Sequence, residues 1–179
     1  MQKVTSVRRI MRRIRPASIS DSRVLTHISF AAKKYWNYPK EYFKIWEKEL
    51  TITAEYIQTN VVYIVEEQEQ AIGYFSLVEV KEEFWAGKVF VNKGFWLEHI
   101  FILPDYIGQG IGSQLIDILK LKCREMKIDK IYIFSDPHAT GFYDKLGAQY
   151  RGESPSSIEG RTVSQYELRI DDEEITELS

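Results

Sequence analysis

Gly108, Gly110 and Gly112 alternate with Gln109 and Ile111 where the apolar run FWLEHIFIL (95–103) gives way to helical spacing. A glycine inside a helix costs about 1 kcal/mol relative to alanine, so three of them at this junction need a reason. A helix N-terminus leaves backbone N–H groups unpaired and carries partial positive charge. Such groups suit anions, phosphate above all. Glycine removes the Cβ that would keep a ligand away and permits a positive φ. The pattern therefore offers a phosphate cradle. The competing explanation is a tight turn that packs a helix onto a sheet. Two familiar phosphate motifs are excluded. No Lys-Ser or Lys-Thr follows the glycines, and Gln114 and Leu115 after Ser113 break the spacing G-x-G-x-x-G.

Other reactive groups carry less. Cys123 is the only cysteine, so no internal disulfide forms, and it shares a helical face with Ile111, Leu115, Ile118, Leu119 and Met126. On that face it reads as a small core residue rather than a nucleophile. His27, His99 and His138 are scattered without ligand spacing, so no metal is expected. No Ser-His-Asp constellation stands out.

The elements that must hold the glycines follow from periodicity. A first strand is expected near 12–15. Asp21 or Ser22 can cap a helix to about Tyr35, with Val24, Leu25, Ile28 and Ala31 or Ala32 at helical spacing. Pro39 suits the start of a second helix through YFKIWEKEL, and a short third one starts near Thr53. VVYIV (61–65), the polar turn EEQEQ and AIGYFSLVEV read as a hairpin. Residues 81–94 read as a loop or ragged hairpin before the strand GFWLEHIFIL. After the glycine-led helix come the strand IYIF (131–134), a short helix ended by Gly147, the polar loop RGESPSSIEG and a strand over 162–170. Helices thus interleave with a mixed, mostly antiparallel sheet.

The chain has 179 residues, 44% hydrophobic and 28% charged, with a formal net charge of −2. That suggests one domain with a sizeable core. Near-neutral charge argues against general nucleic-acid binding, although a cationic cluster runs from Lys3 to Arg15. No apolar run is long enough to span a membrane, and the basic start lacks the apolar segment of a secretory signal. A soluble, cytoplasmic protein is expected. Residues 1–10 read as a basic extension, 11–170 as the domain and 171–179 as an acidic tail.

A second motif bears on the glycines. DPHATGFYDKLGA (136–148) resembles the closing signature of the GNAT superfamily of N-acetyltransferases, and LEHIFILPDYIGQGIGS resembles the acetyl-CoA motif of that family. The motifs stand in the family's order, and the resemblance covers roughly residues 12–170. It implies an α/β (mixed α+β) fold. A mostly antiparallel, twisted sheet of about six to seven strands would have splayed central strands and about four flanking helices. Ile107 departs from the usual Arg or Gln, and Asp136 from the usual Asn.

The resemblance further implies acetyl-CoA as co-substrate, with no metal. Its pantetheine arm would lie along the edge of Ile100, Phe101 and Ile102. Its pyrophosphate would sit on the amides of Gly108, Gln109, Gly110, Ile111 and Gly112, beside Ile107 and the Ser113 hydroxyl. Glu98 is expected as the base and Tyr143 as the acid. By strand alternation Glu98 shares a face with Ile100, and His99 points to the other face unless a bulge intervenes. The aromatic set Tyr35, Trp36, Tyr38, Trp46, Phe84, Trp85, Phe95 and Trp96 is mainly core, with some members available to an acceptor pocket. The function implied is direct acetyl transfer to a primary amine of a small molecule or peptide. The alternative is a non-catalytic acyl-CoA-binding or regulatory module. No nucleic-acid or membrane partner is expected, and a homodimer stays open.

Overall fold

Among the described residues seven strands form the central sheet, in the spatial order β1 (Arg12–Pro16), β2 (Val61–Glu67), β3 (Gln70–Val80), β6 (Gly94–Ile102), β7 (Lys130–Ser135), β9 (Thr162–Arg169) and β8 (Gln149–Pro155). The computed structural model describes residues 11–171, so the expected basic extension and most of the acidic tail lie outside the described residues. A small separate hairpin pairs β4 (Phe84–Ala86) with β5 (Val89–Val91). Every neighbouring pair in the central sheet is antiparallel except β6–β7.

Helices cover both faces. Helices α1 (Ser22–Lys34), α2 (Lys40–Leu50) and α3 (Ala54–Thr59) lie on one side, and α4 (Ile111–Glu125) and α5 (Thr140–Lys145) on the other. In α4, Ile111, Leu115, Ile116, Leu119 and Cys123 are buried against Phe75, Leu77, Leu97, Ile131 and Ile133 of the sheet. Each large aliphatic side chain there contributes about 1.5–3 kcal/mol by leaving water. On the opposite face Leu25 and Ile28 of α1 pack with Ile64 and Tyr74. Trp46 and Leu50, one turn apart on α2, close over Ile158 from the β8–β9 loop.

Several expectations change. Among the described residues five α-helices flank the sheet, where about four were expected. Met126 ends α4 exposed, and Ile116 takes a buried place instead. The first half of the polar stretch expected as a loop, residues 151–155, belongs to β8. It pairs with β9 as an edge strand, with a register shift between Tyr150 and Gly152. An edge strand with a broken ladder and few buried side chains shows no hydrophobic alternation to read.

Two irregularities shape the centre. The β3–β6 ladder pairs Ser76 with His99 and then Leu77 with Leu97, so Glu98 is the extra residue of a β-bulge. The parallel β6–β7 ladder holds only Trp96↔Tyr132 and Leu97↔Ile133. Among the described residues, no pair joins β7 to residues 98–102. A bulge sharpens strand twist, and here it falls where the two central strands part. The Trp96 ring lies over Tyr132 and Phe134, at 5.1 and 4.6 Å between centroids, and packs the last paired step.

Candidate active site

The parting of β6 from β7 leaves one edge of β6 without a ladder partner over residues 98–102. Unpaired strand N–H and C=O groups invite an extended ligand. Ile100 and Ile102 pack toward the α4 face, whereas Phe101 packs with the α1–α3 side.

The bulge decides where Glu98 points. Its carboxylate accepts a hydrogen bond from the Tyr56 hydroxyl, whose oxygen in turn accepts from Ser76 Oγ at 2.8 Å. Glu98 therefore faces the α1–α3 side, not the side of Ile100, and simple alternation fails at this position. His99 lies on the same side, near Tyr56 and Tyr74 and stacked on Phe101 at 5.4 Å. The side chains of adjacent residues share a face here because the bulge inserts one residue.

Tyr56 is placed by local chemistry. Thr53 caps α3, its hydroxyl accepting from the Tyr56 amide at 3.0 Å. The phenol then reaches the sheet. Glu98 keeps solvent access, yet surrounding protein raises its pKa above the ordinary carboxylate range, and the Tyr56 hydrogen bond offsets part of that. Both facts suit a side chain on a cleft wall. Burial also raises the Tyr56 pKa, and the nearby Glu98 charge and hydrogen bond add to the effect. Tyr56 thus remains a donor to Glu98. Burial pushes the His99 pKa down to about 4, the Lys33 charge helping and a hydrogen bond to the Glu49 backbone opposing. His99 is a packed, neutral imidazole at neutral pH.

Tyr143 is buried on α5, 4% exposed, between Phe142 and Tyr166. No hydrogen bond holds its hydroxyl, and every fully buried polar side-chain atom is paired, among the described residues. The hydroxyl therefore meets open space. Burial raises its pKa and the Asp136 charge adds to that, so the phenol keeps its proton.

The glycines divide by role. Gly108 and Gly110 have φ of +82° and +75°, and a Cβ at either would meet only open space. Gly110 caps α4 in the left-handed region. Gly112 is different: a Cβ there would come within 3.1 Å of the Phe142 ring, so it allows α4 to approach α5. The packing explanation holds at Gly112, whereas Gly108 and Gly110 border open space. The first amides of α4, at Ile111, Gly112 and Ser113, have no intrahelical acceptor. Outside the helices and strands, no backbone bond among the described residues takes Gly108, Gln109 or Gly110 as donor. Gly108, Gln109, Gly110 and Ser113 are exposed, and Ile107 turns an apolar side chain to solvent. The cradle relies on backbone donors and suits a diphosphate.

The Asp136 carboxylate is held by side chains from distant segments. It accepts from Lys33 Nζ at 2.9 Å, Tyr38 Oη at 2.7 Å and Arg161 Nη2 at 3.3 Å, and from the His138 amide at 3.0 Å. Burial alone would raise its pKa. The Lys33 charge and these hydrogen bonds outweigh that and take it down to about 2. The Arg161 guanidinium lies over Tyr38 at 4.5 Å and Trp46 at 5.4 Å. Trp36 stacks on His138 at 4.2 Å. Thus Tyr38 and Trp46 of the expected aromatic set build a wall on the α1–α2 side, whereas Phe84 and Trp85 sit exposed on the β4–β5 hairpin. Tyr56, Lys33 and Arg161 were not signalled by motif or spacing, because they come from segments far apart in sequence.

No group of three His, Cys, Asp or Glu side chains among the described residues could hold a metal ion, and no helix there is long and apolar enough to cross a membrane.

A mixed sheet parted at its one parallel step, beside a glycine-led helix N-terminus, defines an acyltransferase-like site. A family model described as acetyltransferase (GNAT) family matches residues 28–148, and the chain belongs to that family. Similar solved structures include a GCN5-related N-acetyltransferase from Rhodopseudomonas palustris. It has 19% identity, a TM-score of 0.69, and covers 88% of this chain and 94% of its own. The PaiA N-acetyltransferase from Thermoplasma acidophilum, in complex with coenzyme A, has 18% identity and a TM-score of 0.68, covering 89% and 99%. The ribosomal-protein-S18-alanine N-acetyltransferase from Escherichia coli has 16% identity and a TM-score of 0.60, covering 93% and 98%. At these identities the likeness shows the fold. No curated protein matches the chain significantly.

Proposed function

We propose that this protein transfers an acetyl group from acetyl-CoA directly to a primary amine of a small molecule or peptide. The observation that carries the reading is the bulge at Glu98. It turns a carboxylate of raised pKa to the α1–α3 side where β6 leaves β7. Acetyl-CoA would supply an activated acyl thioester. The amides of Gly108 to Ser113 would hold its diphosphate, and the free edge of Ile100, Phe101 and Ile102 its pantetheine arm.

Amines are mostly protonated near neutral pH and attack only when neutral. Glu98, hydrogen-bonded by Tyr56, would take the proton at its carboxylate, directly or through one water. Raising its pKa brings it closer to the working pH and makes it a stronger base. The Tyr143 hydroxyl has no protein partner to satisfy, and would donate its proton to the departing sulfur. The wall of Tyr38, Trp46, Lys33 and Arg161 would border the acceptor.

The test is calorimetric titration with acetyl-CoA, followed by thiol release against a panel of amines. Saturable binding with amine-dependent thiol release is the expected result. Binding without turnover on any amine would favour the acyl-CoA-binding module. No binding at millimolar acetyl-CoA would overturn the reading.

A further inference from the structure

A glycine on each side of a loop residue leaves that residue free to rotate, and Gln109 stands between two glycines in the left-handed region. A cradle built from backbone amides binds well only if those amides are held in place beforehand. Something must fix Gln109, and the fixing group comes from the other end of the chain. Arg12, the first residue of β1, donates from Nη2 to Gln109 Oε1 at 2.6 Å and from Nη1 to the Gln109 carbonyl at 3.3 Å. The guanidinium is itself aimed by Glu67, its cross-strand partner on β2, which accepts from Nε at 3.1 Å. Gln109 Nε2 in turn reaches the Asp105 carbonyl at 3.5 Å. One planar fork thus grips Gln109 by main chain and side chain together.

The grip has a directional consequence. In a trans peptide the C=O and the following N–H point opposite ways. With the Gln109 carbonyl turned to Arg12, the Gly110 amide points away from Arg12.

We infer that Arg12 is a positioning residue for the diphosphate: by holding Gln109 between two left-handed glycines, it presets the Gly110 amide for the ligand. This rests on the acetyl-CoA reading above. The Ile107 side chain is apolar and turned outward, so it offers no side-chain hydrogen bond to Gln109, whereas the Arg12 fork does.

The experiment compares the parent protein with Arg12→Lys, Arg12→Gln and Gln109→Ala. Acetyl-CoA binding is read by calorimetry, and kcat and KM are measured with acetyl-CoA and with S-acetylpantetheine, which lacks the diphosphate. Arg12→Lys keeps the charge and loses the fork, so its acetyl-CoA Kd should rise about tenfold, the worth of one charge-assisted hydrogen bond. Arg12→Gln should do the same, and Gln109→Ala should lose several-fold without touching β1. For the Arg12 variants the KM for acetyl-CoA should rise with kcat retained, and kcat/KM for S-acetylpantetheine should not move. If Arg12→Lys binds like the parent, the clamp is irrelevant and the inference falls. Equal losses with both donors would show a general structural defect and also overturn it. If the parent itself binds no acetyl-CoA, the functional reading fails first.

Discussion

The Tyr56 hydroxyl donates to the Glu98 carboxylate and so ties the short helix α3 to the bulge of β6. That hydrogen bond favours the charged carboxylate and opposes the rise caused by burial. Tyr56→Phe should therefore raise the Glu98 pKa further. A base that must be unprotonated then loses activity at higher pH, so the acidic limb of kcat/KM against pH should move upward. The pH profile checks this; an unmoved limb would separate Glu98 from the rate. The buried Ser76 hydroxyl also loses its Tyr56 partner, at a stability cost of about 1 kcal/mol.

Removal of the base should act on chemistry and not on cofactor binding. Glu98→Gln keeps shape and hydrogen-bonding capacity but cannot accept the proton. Its kcat should fall by about 10² to 10⁴, with acetyl-CoA affinity close to that of the parent. Stopped thiol release beside calorimetric binding checks both halves.

Tyr143 is buried with its hydroxyl unpaired among the described residues, so Tyr143→Phe leaves no protein group stranded. The fold should be nearly unaffected and turnover should drop while acetyl-CoA still binds. A kcat equal to the parent's would remove Tyr143 as the proton donor.

Gly110 caps α4 at φ +75°. A side chain in the left-handed region costs roughly 1–2 kcal/mol, and a β-branched one also stands where the ligand would approach. Gly110→Val should weaken acetyl-CoA binding strongly in a protein that still folds, as judged by circular dichroism. Gly112→Val should instead destabilise the fold, because its Cβ would press on Phe142.

His99 takes a proton near 6.5 when exposed and only near 4 in the fold. Between those values the unfolded chain binds more protons, so acid works against folding. Stability present above about 6.5 is lost as pH falls to about 4, by about 3 kcal/mol for a shift of this size. Asp136 acts in the same direction lower down, between the ordinary aspartate value of 3.8 and about 2. His99→Gln should abolish the upper window, so urea unfolding of parent and variant should differ more at pH 7 than at pH 4.5.

The order of elements apart from β8, the glycine-led helix start, the closing GFYDKLG helix and the family itself were legible in local sequence. Each depends on periodicity, turn chemistry or contiguous motifs, which act over a few residues. The candidacy of Glu98 and Tyr143 came from the family resemblance. The facing of Glu98 was not legible, because a bulge arises from the mismatch of two strands and not from either one alone. Nor were the partners: Tyr56 meets Glu98 across 42 positions, Arg12 meets Gln109 across 97 and Lys33 meets Asp136 across 103. Polar side chains at such separations carry no periodic signal. Sequence determined that the chain would form this kind of sheet and helix cradle. The tertiary structure alone decided which charges and hydroxyls face one another, because only the folded sheet brings β1, α1, α3 and the glycine loop together.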